Sequence, residues 1–217
     1  DTDRSRGLGD VYKRQVQSME ESLQILREME QQGIRRVWLT PHIMEDIPNE
    51  TLALQRKFWE LLQQYRGAVE LKLAAEYMLD NLFEERLEKE DLLLLEEGKR
   101  FLLVETSYFN PPMDLLSVLQ RIQKKGYYPL LAHPERYEYM QKEDYNTLKE
   151  EHISFQLNLP SLAGMYGKHV QKKAEDLLKA GMYDRMGGDT HSAASYQRFL
   201  QGEICKNIVG FILRQKE

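Results

Sequence analysis

The chain has 217 residues, of which 41% are hydrophobic and 30% charged, with a formal net charge of −5. These values are typical of a globular domain large enough to bury a core, and the negative charge argues against a nucleic-acid-binding protein. The single cysteine, Cys205, excludes an internal disulfide and a thiolate zinc cluster, so a bound metal would need nitrogen and oxygen ligands.

Residues 1–15 show neither apolar alternation nor a buried run. The segment DVYKRQ, residues 10–15, corresponds under one choice of codons to the translation of a transposon end used in sequencing libraries. We therefore interpret residues 1–15 as artefactual or disordered and residues 16–217 as the domain proper. No apolar run approaches the length that spans a bilayer, so no membrane insertion is expected.

From Ser18 onwards, predicted helices and strands alternate. Helices are predicted from the Ser18 cap to Gly33 and over 50–65, 81–90, 111–126, 168–180 and 208–213. Strands are predicted over 37–40, 69–75, 101–104, 129–132, 153–157 and 183–186. The short connections indicate an α/β fold of parallel strands joined by right-handed crossovers. An open doubly wound sheet also fits this alternation, but a barrel fits better because it gathers all strand ends around one point.

Metal-binding residue types follow nearly every predicted strand. They are His42, Glu76, Glu105, His133, Asp189 and His191. Neutral imidazole with carboxylate suits zinc, manganese or iron(II), and carboxylates can bridge two ions. A single carboxylate such as Glu76 is equally explained by a helix cap or a salt bridge, but six residues at matching positions are not. The remaining histidines, His152 and His169, are interpreted as structural.

Arg136 follows the strand that ends at His133 and is the candidate catalytic and phosphate-binding residue, because its rigid fork matches phosphate oxygens. The alternative for Arg136 is a salt bridge to Glu135, Glu138 or another nearby acid. Asn158, at the end of a later predicted strand, is a second candidate for substrate binding.

Six segments together resemble the bacterial capsular-polysaccharide protein-tyrosine phosphatases of the PHP (polymerase and histidinol phosphatase) superfamily. They are TPHIM (40–44), AAEYM (74–78), LLVETS (102–107), LLAHPERY (130–137), FQLNLPSLAGMYG (155–167) and GGDTHS (187–192). The resemblance covers the chain from about residue 16 onwards, and the motifs occur in the family order. It implies that the six metal-type residues are family ligands and that Arg136 binds substrate.

The resemblance also implies a distorted TIM-like (β/α)7 barrel that carries two or three divalent ions, with manganese preferred over iron or zinc. The implied reaction is dephosphorylation of phosphotyrosine proteins, notably the tyrosine-rich tail of the kinase that drives capsule or exopolysaccharide export. A cytoplasmic location is implied as well.

Two departures from the family pattern bear on activity. The family opens with an H-x-H pair and an acidic ligand on its first strand, whereas no histidine precedes His42 here. We therefore expect the first barrel strand to be missing or replaced and the chain as written to be weakly active or inactive. A further family arginine follows the D-x-H pair, but Arg198 is displaced from that spacing and is not assigned.

Three other functions remain open from the sequence. The chain could be another PHP phosphomonoesterase, such as a histidinol-phosphate phosphatase, or a non-catalytic fragment. A metal-dependent amidohydrolase is less favoured, because glutamates stand where a bridging carboxylated lysine would be needed. Cys205 lies outside any phosphate-binding loop, which argues against the cysteine-dependent phosphatases.

Overall fold

The structure, a computed structural model, describes residues 18–110 and 112–201. The helices are α1 (Met19–Gln31), α2 (Thr51–Gln64), α3 (Asn81–Lys89), α4 (Leu115–Lys124), α5 (Lys142–Glu150), α6 (Leu159–Leu162), α7 (Lys168–Lys179) and α8 (Ala193–Gln201). The strands are β1 (Arg36–Leu39), β2 (His42–Ile43), β3 (Glu70–Leu73), β4 (Glu76–Met78), β5 (Phe101–Glu105), β6 (Tyr128–Ala132), β7 (Ser154–Asn158) and β8 (Arg185–Gly187). Short 3-10 helices cover Glu97–Lys99 and Pro134–Arg136.

Six strands form one parallel sheet in the order β2-β4-β5-β6-β7-β8, while β1 and β3 form a separate parallel pair. The predicted parallel α/β class is therefore confirmed. Because all strands run the same way, their carboxyl ends lie at one edge, where this architecture places its functional residues.

The six-stranded sheet is strongly curled. In a flat sheet, five spacings of about 4.8 Å would separate β2 from β8 by about 24 Å. Instead, Nε2 of His42 on β2 lies 3.0 Å from Nε2 of His191, which follows β8. The sheet therefore forms part of a barrel wall. Within the described ranges β2 and β8 each pair on one side only, so the closed seven-stranded barrel stays a prediction.

The structure corrects the first two predicted strands, each of which is interrupted. After a two-residue gap a second short strand begins, β2 at His42 and β4 at Glu76. The backbone N–H of Glu76 donates to the carbonyl of Pro41 at 3.1 Å, so the two chain segments stay paired through the gap. Pro41 has no N–H to donate. His42 and Glu76, predicted at the ends of strands, therefore open short strands and stand directly opposite each other.

The helices begin and pack as their sequences dictate. Ser18 Oγ accepts a hydrogen bond from the N–H of Glu21 at 3.0 Å and caps α1, as predicted. Apolar faces of the helices pack on the sheet and build the largest core. Its most buried members include Ile43, Tyr77, Phe83, Leu87, Leu102, Val104, Leu119, Ile122, Leu131, Tyr137, Ile153 and Phe155.

Three helices of the structure, α5, α6 and α8, are absent from the prediction. α5 buries only Tyr145 and Leu148, and α8 buries Tyr196 and Phe199, so neither sequence shows a long apolar period. The predicted helix over 208–213, the division at residue 15 and Cys205 lie outside the described residues. Among the described helices, none combines the length and apolar character needed to cross a bilayer.

Candidate metal and phosphate site

The carboxyl edge of the sheet brings the predicted site residues together. Glu105 is the last residue of β5 and Asn158 is the last residue of β7, while His133 directly follows β6. Asp189 and His191 lie on the segment after β8. His133 and Asp189 adopt left-handed backbone conformations, with φ of 35° and 43°. Such conformations are uncommon for residues other than glycine and often occur at functional sites.

Two histidines and two glutamates form a cluster in which all but the partly buried His42 are buried. Nδ1 of His42 lies 3.0 Å from a carboxylate oxygen of Glu105 and 3.7 Å from one of Glu76. Nε2 of His133 lies 3.1 Å from Glu76 and 3.5 Å from Glu105. One ligand atom each from His42, Glu76 and Glu105 falls within 4.8 Å of the other two. A single divalent ion could therefore contact all three.

A third histidine, His191, and a third carboxylate, that of Asp189, extend this cluster. Nε2 of His191 lies 3.0 Å from Nε2 of His42, and the two rings stack with centroids 5.3 Å apart. Nδ1 of His191 lies 2.9 Å from the backbone carbonyl of Asp189, to which it donates. That hydrogen bond leaves the lone pair of His191 on Nε2, facing His42.

Arg136 is tied to the cluster through Asp189. Its Nη1 donates to Oδ2 of Asp189 at 2.8 Å, and the side-chain amide of Asn158 donates to the same oxygen at 2.8 Å. The sequence also allowed an ion pair between Arg136 and Glu135 or Glu138, but the acid that Arg136 contacts is Asp189. The arginine and the asparagine predicted to bind substrate therefore converge on a predicted metal ligand.

Two tyrosines that the sequence did not indicate lie on Arg136. The guanidinium carbon is 4.3 Å from the ring centroid of Tyr108 and 4.1 Å from that of Tyr166, within the range of a cation–π interaction. Tyr108 comes three residues after Glu105, the last residue of β5. A search of the residues that follow each predicted strand could therefore have found it. Tyr166 lies between α6 and α7, and no local pattern links it to Arg136.

Glu135 is a further buried residue that the sequence did not assign to the site. It is 1% exposed. Its carboxylate accepts hydrogen bonds from the backbone N–H of Asn158 at 3.1 Å and from the hydroxyl of Tyr183 at 3.0 Å. Burial raises the pKa of Glu135. This carboxyl group connects the segment after β6 to the end of β7, and so fixes Asn158 relative to Arg136.

The cluster shifts the pKa values of its own members. Burial by itself would lower the pKa of His42, but the carboxylate of Glu105 at 3.0 Å and those of Glu76 and Asp189 raise it to about 9. Burial would also lower the pKa of His133, but its contacts with the carboxylates of Glu105 and Glu76 raise that pKa to about 10. Burial opposes ionisation of Glu105, yet the two histidines lower its pKa well below the usual range. Each group thus favours its charged form.

We expect the metal-free protein to lose stability as the pH rises above neutrality. The folded-state pKa values of His42 and His133, about 9 and about 10, lie above the ordinary value of 6.5. Their protonation therefore stabilises the folded chain fully below about pH 6.5, and this contribution is lost as the pH rises through 9 to 10. Thermal melts of chelator-treated protein between pH 6 and 10 measure the effect. A Tm of metal-free protein that is constant or rises over that range would contradict it.

The residues present fit a divalent cation. The buried carboxylates of Glu76 and Glu105 and the partly buried carboxylate of Asp189 lie within one cluster. Among the described residues, the arginine paired with these carboxylates is Arg136. Buried charges are normally paired or bound to metals. The lone pair of His191 Nε2 points at His42 Nε2 across 3.0 Å, an approach that requires a proton or a cation between the two rings. This donor set, imidazole and carboxylate without thiolate, is typical of zinc, manganese or iron.

A cavity of about 1110 Å³ lies beside the cluster. Its lining includes His42, Glu76, His133, Asp189 and His191. The volume is comparable with that of large small-molecule sites. The remaining candidates of the sequence, His152, His169 and Arg198, are exposed, and the contacts that form the cluster do not include them.

Two relatives of this chain are named as tyrosine-protein phosphatases. The chain is 27% identical over 179 residues to the tyrosine-protein phosphatase YwqE of Bacillus subtilis (strain 168), covering 79% of this chain and 70% of YwqE. It is 27% identical over 203 residues to the tyrosine-protein phosphatase CpsB of Streptococcus pneumoniae, covering 85% of this chain and 80% of CpsB.

A solved structure shares the fold. It comes from crystal structures of YwqE from Bacillus subtilis and CpsB from Streptococcus pneumoniae, described as unique metal-dependent tyrosine phosphatases. The TM-score is 0.76 at 24% identity, over 84% of this chain and 76% of the solved one. A family model described as capsular polysaccharide synthesis, CpsB/CapC, matches residues 15–209. With most of its length matched by that model, the chain belongs to the CpsB/CapC family of capsular polysaccharide synthesis proteins.

Proposed function

We propose that this chain is a metal-dependent protein-tyrosine phosphatase. The observation that carries the proposal is the link between Arg136 and the histidine–carboxylate cluster through Asp189, at 2.8 Å. An arginine fork beside several metal-type ligands is suited to a phosphate group, whose charge both can neutralise. The names of the relatives YwqE and CpsB point to the same reaction.

The residues that would hold the metal are those of the cluster. His42, Glu76, Glu105 and His133 supply one group of donors, and Asp189 and His191 supply another that contacts the first through His42. We propose two or three divalent ions, with manganese preferred and iron or zinc as alternatives. When bound, such ions supply Lewis acidity and an activated water for attack on phosphorus.

The protein's own groups bind and orient the phosphate ester. Arg136 presents N–H donors beside Asp189, and Asn158 keeps the carboxylate of Asp189 in place by donating to the same oxygen at 2.8 Å. The leaving group of phosphotyrosine is a phenolate, whose conjugate acid has a pKa of about 10. A phenolate departs more readily than an alkoxide, so phosphotyrosine is a more reactive substrate than phosphoserine. A cysteine nucleophile is not needed.

The substrate and its setting are proposed from the family. We propose a phosphotyrosine protein as substrate, specifically the tyrosine-rich tail of a bacterial kinase that controls capsule or exopolysaccharide synthesis, dephosphorylated in the cytoplasm. Support comes from the capsule-synthesis family to which the chain belongs.

Hydrolysis of a phosphotyrosine peptide with added Mn²⁺ tests the proposed function. We expect slow phosphate release, because the H-x-H pair of the family has no counterpart before His42. A chelator should abolish this release and Mn²⁺ should restore it, because the metal supplies the activated water. Alkylation with iodoacetamide should leave the rate unchanged. The chain has one cysteine, Cys205, and it lies outside any phosphate-binding loop of the sequence.

The controls separate the alternatives. A phosphoserine peptide and histidinol phosphate assayed in parallel should be hydrolysed more slowly, and a preference for histidinol phosphate would favour the other phosphomonoesterase. Mn²⁺ binding without hydrolysis of any ester would support the non-catalytic alternative. Loss of activity on alkylation would contradict the metal-dependent mechanism.

A further inference from the structure

The guanidinium group of Arg136 contacts two aromatic rings, and phosphate binding by itself does not require such contacts. Its side chain is 9% exposed, and the rings of Tyr108 and Tyr166 lie 4.3 and 4.1 Å from the guanidinium carbon. The two tyrosines come from different loops, after β5 and between α6 and α7. The position of Arg136 is therefore determined by parts of the chain other than its own 3-10 turn.

The two tyrosines differ in their surroundings and in their exposure. Tyr108 also packs on His133, with ring centroids 5.6 Å apart, and on Tyr137, with centroids 6.2 Å apart. Tyr166 is 36% exposed and lies between Gly164 and Gly167, both at positive φ. Tyr108 thus couples Arg136 to a member of the cluster, while Tyr166 contacts Arg136 from the surface.

Stacking restricts the guanidinium without using its donors. Among the described residues Arg136 makes its side-chain hydrogen bond through Nη1, to Asp189, and a ring against the guanidinium plane occupies none of the N–H groups. The donors that remain on the fork suit the oxygens of a phosphate. An arginine already restricted in this way loses less rotamer freedom when it binds an anion.

We propose that Tyr108 and Tyr166 are positioning residues that orient Arg136 for phosphate binding. The proposal rests on the proposed function, in which Arg136 binds the phosphate group of the substrate. The tyrosines act through the arginine and not by contacting the aromatic ring of phosphotyrosine. Their removal should therefore weaken binding of every phosphate-like anion by the same factor, whether or not the anion carries a ring.

The test uses the full chain loaded with Mn²⁺ and two probes, inorganic phosphate and phenylphosphonate, with binding measured by calorimetry. Tyr166→Leu removes the stack at the surface, and we expect Kd for both probes to rise about fivefold, the size of a cation–π contact. Tyr166→Phe keeps the ring and should retain most of the affinity. Mn²⁺ affinity should not change, because the contact that the substitution removes is the stack on Arg136 at 4.1 Å.

A matched control is Phe109→Leu, which removes a neighbouring aromatic side chain that is 66% exposed and should leave both Kd values unchanged. Weaker binding of phenylphosphonate alone would overturn the proposal, because it would show that Tyr166 contacts the substrate ring. Unchanged Kd values in Tyr166→Leu, or an equal loss of Mn²⁺ affinity, would also overturn it. If the unsubstituted protein binds neither probe and hydrolyses no phosphotyrosine, the proposed function itself fails.

Discussion

Replacing Glu105 by glutamine is expected to remove nearly all of the phosphatase activity that the unsubstituted chain shows. Glu105 is 3% exposed, and its carboxylate lies 3.0 Å from His42 and 3.5 Å from His133. Glutamine has the same shape but no charge, so it cannot balance a divalent ion or the two imidazoles. We expect kcat/KM for a phosphotyrosine peptide to fall about a thousandfold, equivalent to about 4 kcal/mol of transition-state stabilisation.

Mn²⁺ binding provides the independent measurement. Calorimetric titration of the Glu105→Gln protein should show a marked loss of Mn²⁺ affinity, and circular dichroism should show that the chain still folds. Glu138→Gln is the matched control, because Glu138 is exposed and contacts none of the cluster residues in the structure. Mn²⁺ affinity that is equal in the Glu105→Gln protein and the unsubstituted one would contradict the assignment of Glu105 as a ligand.

Replacing Arg136 by lysine should lower kcat/KM about a hundredfold. Lysine keeps the charge but loses the planar fork that matches two phosphate oxygens, and it stacks less well on aromatic rings. Arg136 makes both kinds of contact, with Asp189 at 2.8 Å and with Tyr108 and Tyr166 at 4.3 and 4.1 Å. Steady-state kinetics should show that a large part of the loss is a rise in KM, because substrate binding is weakened.

Arg198→Lys is the control for Arg136→Lys. Arg198 lies on α8 and is exposed, away from the spacing at which the family resemblance places a second arginine. Its replacement should leave kcat and KM unchanged. Equal losses in the Arg198→Lys and Arg136→Lys proteins would show that the phosphate-binding arginine had been misassigned. Unchanged kinetics in Arg136→Lys would show that the fork is not needed.

The parallel strands and the location of the candidate site were predictable from local sequence. Short apolar runs alternate with amphipathic helices, and such alternation leaves few topologies open. The same alternation predicts three residues of the candidate site. Glu105 and Asn158 are the last residues of their strands, and His133 is the residue directly after its strand. The interruptions at His42 and Glu76 were not predictable, because pairing through the gap depends on Pro41 meeting a strand far along the chain.

The amino-acid sequence by itself determined which residue types the candidate site contains, because imidazole and carboxylate side chains follow the buried strands at matching positions. Only the tertiary structure decided which groups meet. Arg136 contacts Asp189 across 53 residues of sequence, and Tyr166 reaches Arg136 from a loop beyond β7. Such contacts depend on how far the sheet curls, which brings β2 and β8 together at His42 and His191. Curl is the sum of small twists over six strands, and no local pattern of residues encodes that sum.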